Sequence, residues 1–121
     1  MLGGITRRMT SIMNREFRQG EVWLADVIFK DTHQYKQRPV LIVGNELALD
    51  IDVIVAPITS QSIRNEFDVV LEYWQQAGLL KTSIARTPKI ISIHGSELKR
   101  KLGFLNKHDL DRVLHTCRKL F

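Results

Sequence analysis

Arg38 and Thr59 are the two side chains whose types and positions suit chemistry on a polyanion. An apolar run, Val40-Leu41-Ile42-Val43, starts directly after Arg38-Pro39, and a second, Val53-Ile54-Val55-Ala56, ends in Pro57-Ile58-Thr59-Ser60. Read as strands, the two runs carry an arginine and a threonine at ends that would meet. The polar stretch Lys30-Asp31-Thr32-His33-Gln34-Tyr35-Lys36-Gln37 is expected to be a loop arching over that meeting place, where it adds a histidine and more cations. A guanidinium keeps its charge and its planar fork fits phosphate oxygens. A hydroxyl can fix a reacting group by hydrogen bonding, and an imidazole has the ordinary pKa that suits proton transfer near neutrality. Together these residues read as a small polyanion-cleaving site.

The elements that must hold them follow from pattern and punctuation. Residues 21–29, from Glu21-Val22-Trp23, form a first strand rich in β-formers. The second, 39–44, is a continuous apolar run that predicts burial on both faces, with Pro39 at its first position. A third, 53–56, is expected to stop at Pro57, which cannot donate a ladder hydrogen bond. Residues 67–71 give a fourth, followed by a helical turn or two over 72–77 that Gly78 closes and Trp74 anchors to the core. Residues 83–86 and 90–93 read as one interrupted fifth strand with a bend at Pro88, and 99–105 as a short last strand or turn. Asn106 and Asp109 then supply an N-cap and a first-turn acid for a helix whose apolar face is Leu110, Val113, Leu114, Cys117 and Phe121. The fold class is therefore mainly β with a C-terminal helix, arranged as a small antiparallel barrel. Residues 1–17, with Arg7, Arg8 and Arg15, read as a flexible basic extension, in which Met9 and Met13 could each serve as a start.

The totals narrow the partner. A chain of 121 residues supports one domain, and its net charge of +5 favours an acidic partner, nucleic acid first. With aromatics at 7%, a sheet of base-stacking rings is disfavoured, so phosphate and base-edge contacts must carry binding. The single cysteine, Cys117, rules out an internal disulfide and an all-cysteine zinc site, and it fits a reducing, cytoplasmic setting. No apolar run reaches membrane-span length, and no signal-peptide pattern opens the chain. His94, His108 and His115 lack metal-ligand spacing, so they are expected on the surface and no metal or cofactor is expected. Lys99-Arg100-Lys101 is by default a solvated charge run, with an RNA-backbone contact as the second reading.

Taken together, Gln19-Gly20-Glu21-Val22-Trp23-Leu24-Ala25-Asp26, Arg38-Pro39-Val40-Leu41-Ile42-Val43, Pro57-Ile58-Thr59-Ser60, Gly78-Leu79-Leu80-Lys81-Thr82-Ser83-Ile84-Ala85-Arg86 and Lys101-Leu102-Gly103 resemble the MazF/PemK toxin family. The resemblance runs in order from about Arg18 to the C-terminus. It implies an SH3-like barrel of the CcdB/MazF/Kid type, a homodimer, and a metal-free endoribonuclease of a type II toxin–antitoxin system. Such an enzyme cuts single-stranded messenger RNA by attack of a ribose 2′-hydroxyl on the adjacent phosphate, which leaves a 2′,3′-cyclic phosphate and a 5′-hydroxyl. Its partners would be the RNA, a cognate antitoxin with an acidic C-terminal segment, and operator DNA reached only through that antitoxin.

Carried over by position, the resemblance makes Arg38, Thr59, Arg86 and His33 the catalytic group. It makes Gln34, Lys36, Gln37, Ser60, Arg64 and Lys81 RNA contacts. Gln34 stands where an acid often follows the loop histidine, and Pro88 where some members have an aspartate. Two readings from other classes stay open. One is a CcdB-like gyrase poison of the same fold, against which count the Arg38 and Thr59 motifs and the absence of a terminal Trp-Gly-Ile. The other is a degenerate relative that only binds RNA, or acts with its antitoxin as a corepressor.

Overall fold

The computed structural model describes residues 17–29, 34–46 and 51–121. Along the chain come β1 (Glu21–Phe29), β2 (Gln34–Ile42), β3 (Asp52–Thr59), β4 (Asp68–Leu71), β5 (Ser83–Arg86), β6 (Ile91–His94), β7 (Leu98–Phe104) and one helix, α1 (Lys107–Arg118). Every pairing is antiparallel, in the order β4-β5-β3-β2-β1-β7, with β6 added beside β3. The mainly β class with a C-terminal helix is as expected. Among the described residues, however, β4 and β7 end the order without pairing to each other, so the sheet is open rather than a closed barrel. No helix among those residues is long and apolar enough to cross a membrane.

The apolar run of β2 behaves as its composition requires. Val40, Leu41, Ile42 and Val43 are all buried, and because strand side chains alternate, they divide between two cores. Leu41 and Val43 join Val22, Ala56, Ile58 and Leu71 in one cluster, while Val40 and Ile42 join Ala25, Val53, Val55 and Leu98 in the other. Phe17 belongs to this packing as well, edge-on to Trp23 at 5.3 Å between ring centroids, so the ordered fold takes in the last residue of the expected extension.

Three strand boundaries differ from expectation. The second strand begins at Gln34 rather than Pro39, because Gln34 through Pro39 pair with β1 as the second arm of a hairpin, along which Lys36, Gln37 and Arg38 are exposed. The third does not stop at Pro57 but runs to Thr59. Along one edge β3 pairs with β6 over 52–55 and with β5 at 58 and 59. Pro57 falls in the gap between these two partners while keeping register with Val40 on the β2 side, so its missing N–H is tolerated. The expected interrupted fifth strand is two strands on different stretches of β3. Pro88 starts a 3-10 turn, Thr87–Lys89, that swings the chain from one to the other.

The C-terminal helix starts as its sequence dictates, with the Asn106 side chain accepting the Asp109 N–H at 2.9 Å. Leu110, Val113, Leu114 and Cys117 lie on the first core, whereas Phe121 falls beyond the helix end and is 97% exposed. Burial pushes the Cys117 thiol above its ordinary pKa, as suits a packing residue rather than a nucleophile. Asp109 does more than balance the helix dipole. Its fully buried carboxylate accepts the backbone N–H groups of Glu72 (3.1 Å) and Tyr73 (2.8 Å) and a hydrogen bond from Arg112 Nη1 (3.2 Å). The helix is thereby tied to the turn over 72–78 that follows β4. That turn ends at Gly78, whose φ of +82° and close approach to the Leu102 carbonyl leave no room for a Cβ.

Candidate functional site

A cleft of about 560 Å³ opens where β2 and β3 leave the core. Arg38 and Pro39 come from β2, Ile58 and Thr59 from β3, with Ser60 and Gln61 following. Arg100 and Leu102 come from β7 and Leu24 from β1, and residues 78–81 with Ser83 close the far wall. Among the described residues the cations Arg38, Lys81 and Arg100 line the cleft, and no Asp or Glu does. Leu24, Ile58, Leu79 and Leu102 add apolar surface beside the polar Thr59, Ser60, Gln61 and Ser83, and Leu80, also in the lining, is 93% exposed. Such a lining suits a chain of negative charges that also carries flat apolar groups.

Each wall is held locally. The β2–β3 register pairs Val40 with Pro57; continued by two residues it sets Arg38 opposite Thr59, projecting from the same side. The Thr59 hydroxyl oxygen accepts the Gln61 N–H at 3.1 Å, which leaves its own O–H to donate into the cleft. On the far wall, the Ser83 hydroxyl donates to the Lys81 carbonyl at 2.7 Å. Gly78 and Gly103 let the turn and β7 come backbone to backbone, which brings Leu79 to Lys81 against Leu102.

The Lys99-Arg100-Lys101 run lies where the register of β7 against β1 shifts, between Leu24 and Ala25, and its charges divide. Lys99 and Lys101 face carboxylates of β1, Asp26 at 3.7 Å and Glu21 at 2.9 Å, while Arg100 lines the cleft. Among the described residues neither Arg100 nor Lys81 is paired with a carboxylate. Glu21 also accepts the Trp23 indole N–H at 3.0 Å and the Arg18 backbone N–H at 3.0 Å. Burial pushes its carboxyl up, but the hydrogen bonds from Lys101, Trp23 and Arg18 outweigh that and hold it below the ordinary value.

Of the residues expected from sequence, Arg38, Thr59, Ser60 and Lys81 share this cleft. Lys36 and Gln37 are exposed on the β1–β2 hairpin and Arg64 on the loop after β3, and none of the three lines it. Gln34 is the first residue of β2 rather than part of a loop, and His33 lies outside the described residues. Arg86 is not at the cleft surface: it is 7% exposed and bound to Asp68. Gln61 and Leu80 were not anticipated, and Arg100 only as one of the three cations given an RNA-backbone contact as a second reading. Strand parity does not single Arg100 out, because the register of β7 against β1 shifts beside it.

The cluster of possible metal ligands among the described residues, Glu72, His108 and Asp109, lies outside the cleft lining. Its atoms are engaged already, with His108 Nε2 2.7 Å from Glu72 Oε2 and Asp109 bound to two amides and Arg112.

Fold and cleft together define a small sheet-and-helix protein with a cationic cleft at the ends of its central strands, suited to a polyanion. The chain belongs to the PemK-like, MazF-like toxins of type II toxin–antitoxin systems, whose family model matches residues 18–121. Among solved structures, an endoribonuclease from a mycobacterial species is similar at TM-score 0.69 and 18% identity, over 85% of this chain and 88% of that one. A mycobacterial endoribonuclease in complex with its cognate antitoxin is similar at TM-score 0.69 and 21% identity, over 87% and 97%. The Mycobacterium tuberculosis toxin MazF-mt6 is similar at TM-score 0.63 and 25% identity, over 82% and 96%. No curated protein matches the chain in sequence.

Proposed function

We propose that this toxin is an endoribonuclease that cuts single-stranded RNA by internal transesterification. The observation that carries the reading is the meeting of Arg38 and Thr59 in one cleft with Lys81 and Arg100, with no acidic side chain lining it among the described residues. Family membership and the endoribonucleases among the similar structures support the same activity.

In the reaction, the ribose 2′-oxygen bonds to the adjacent phosphorus and the bond from phosphorus to the 5′-oxygen breaks. A 2′,3′-cyclic phosphate is left on one fragment, and the leaving oxygen takes up a proton to become a 5′-hydroxyl. Negative charge grows on the non-bridging oxygens, and the fixed positive charge of Arg38 stabilises it without needing a metal ion. Thr59, its hydroxyl proton directed away from the Gln61 amide, holds a phosphate oxygen or the 2′-hydroxyl for in-line attack. Lys81 and Arg100 bind flanking phosphates, with Ser60 beside them. Lys36, Gln37 and Arg64, exposed near the cleft, extend the track, and Gln34 continues it along the hairpin. Proton transfer is assigned to His33 on its chemistry alone.

The same cleft would take the acidic segment of an antitoxin, so RNA and antitoxin would exclude each other; one similar structure is of an endoribonuclease in complex with its cognate antitoxin. In this reading the toxin is a cytoplasmic homodimer and meets operator DNA only through the antitoxin.

Incubation with a long single-stranded RNA in EDTA, followed by mapping of the ends, tests the reading. Cuts at a short recurring sequence with cyclic-phosphate and 5′-hydroxyl ends are expected. Cuts that require added metal, or that leave 5′-phosphates, would overturn it.

A further inference from the structure

Arg86 sits inside the protein, with its side chain 9% exposed and that of Asp68 2% exposed. The β4–β5 register sets the two residues directly opposite each other, and Arg86 Nη1 donates to Asp68 Oδ2 at 2.6 Å. The same carboxylate oxygen accepts the backbone N–H of Arg64 at 2.7 Å, and the other arm of the guanidinium, Nη2, donates to the Ser62 carbonyl at 3.1 Å. One buried ion pair therefore grips the loop after β3 at two backbone points. That loop carries Gln61, whose N–H holds the Thr59 hydroxyl and whose side-chain oxygen accepts from Arg64 Nη2 at 3.3 Å. Thr59 and Gln61 both line the cleft.

We propose that Arg86 is a positioning residue of the cleft: with Asp68 it fixes the loop over 61–64 and, through the Gln61 amide, the Thr59 hydroxyl. A buried ion pair contributes little net stability beyond what apolar residues of similar volume would give, because desolvation offsets the attraction. What it adds here is direction. A planar fork reaches a carboxylate with one arm and a carbonyl with the other, which an apolar side chain cannot do and a single ammonium does less rigidly. The same burial argues against Arg86 touching the scissile phosphate, since reaching into the cleft would leave the Asp68 carboxylate buried and unpaired.

The kinetic half of this inference rests on the nuclease reading, whereas its structural half does not, and the test separates them. Full-length Arg86→Lys and Asp68→Asn proteins, and the double variant, would be compared with wild type by amide hydrogen exchange and by single-turnover cleavage at saturating RNA. The amides of Gln61 and Arg64 should exchange about tenfold faster or more in each variant, while α1 keeps its protection and so reports an intact fold. Cleavage should slow by about tenfold or more in both single variants with RNA affinity within about twofold, and the double variant should be no slower than the worse single.

Unchanged exchange at Gln61 and Arg64 in variants with protected helices would overturn the proposal. So would a rate loss in Arg86→Lys that Asp68→Asn does not share, which would instead mark a direct phosphate contact. If Arg86→Lys does not fold, Asp68→Asn alone decides by both readouts. If wild type cuts no RNA, the nuclease reading fails while the exchange data still decide the structural claim.

Discussion

Arg38 and Thr59 face each other across the outer end of the β2–β3 pair, two residues beyond the last hydrogen-bonded partners, Val40 and Pro57. The β2–β3 ladder thus ends just where the cleft begins, while each strand keeps its other partner there, Arg38 in register with Ala25 of β1 and Thr59 with Ile84 of β5. A site built on strand ends keeps its geometry without needing a long loop to order itself.

The division of charge along β7 makes a prediction about binding. Arg100→Ala should weaken affinity for a single-stranded RNA and reduce the salt dependence of binding by about 0.7 in log–log slope, one phosphate's worth. Lys99→Ala should change that slope by less, because Lys99 already faces Asp26. Binding titrations at several salt concentrations give both slopes; equal effects would mean that the three cations act as one undivided patch.

Glu21 predicts an acid-sensitive contribution to stability. Its folded pKa lies below the ordinary value of 4.5 because Lys101, Trp23 and Arg18 together outweigh burial. The unfolded chain therefore binds the proton more readily. The contribution is fully present above about pH 4.5 and is lost as the pH falls through the folded value. Thermal melts of Glu21→Gln against wild type should differ most near neutrality and converge on acidification; a constant gap would remove the ionic contribution.

Asp109 and Gly78 hold the turn that forms the far wall. Asp109→Ala leaves two part-buried amides without their buried acceptor and should cost about 1 to 3 kcal/mol, read as a lower denaturant midpoint at unchanged slope. In Gly78→Ala the added methyl meets the Leu102 carbonyl at a positive φ, so a loss of about 2 kcal/mol or more is expected, with the backbone over 79–81 displaced. A near-neutral Gly78→Ala would contradict the close approach.

Much of this was legible in the sequence where one residue decides one local outcome. The four apolar residues after Pro39 could only be buried on both faces, Asn106 three residues before Asp109 could only start a helix, and Gly78 closed its turn with positive φ. Family position likewise brought Arg38, Thr59, Ser60 and Lys81 to one cleft. What stayed hidden depends on partners far along the chain. Pro57 reads as a strand stop unless β5 and β6 are known to leave a gap beside it. Arg86 reads as a cleft cation until Asp68, eighteen residues away, is seen to bury it. Asp109 looks like an ordinary first-turn acid until the amides of Glu72 and Tyr73 arrive from a separate turn.

The most direct test of the central claim is single-turnover cleavage of a single-stranded RNA in EDTA by wild type and Arg38→Ala, both shown to be folded by their melts. Loss of one guanidinium that stabilises the transition state should slow the rate by about a hundredfold or more, while the RNA still binds through Lys81 and Arg100. Wild-type cleavage that survives Arg38→Ala unchanged would contradict the site as built here.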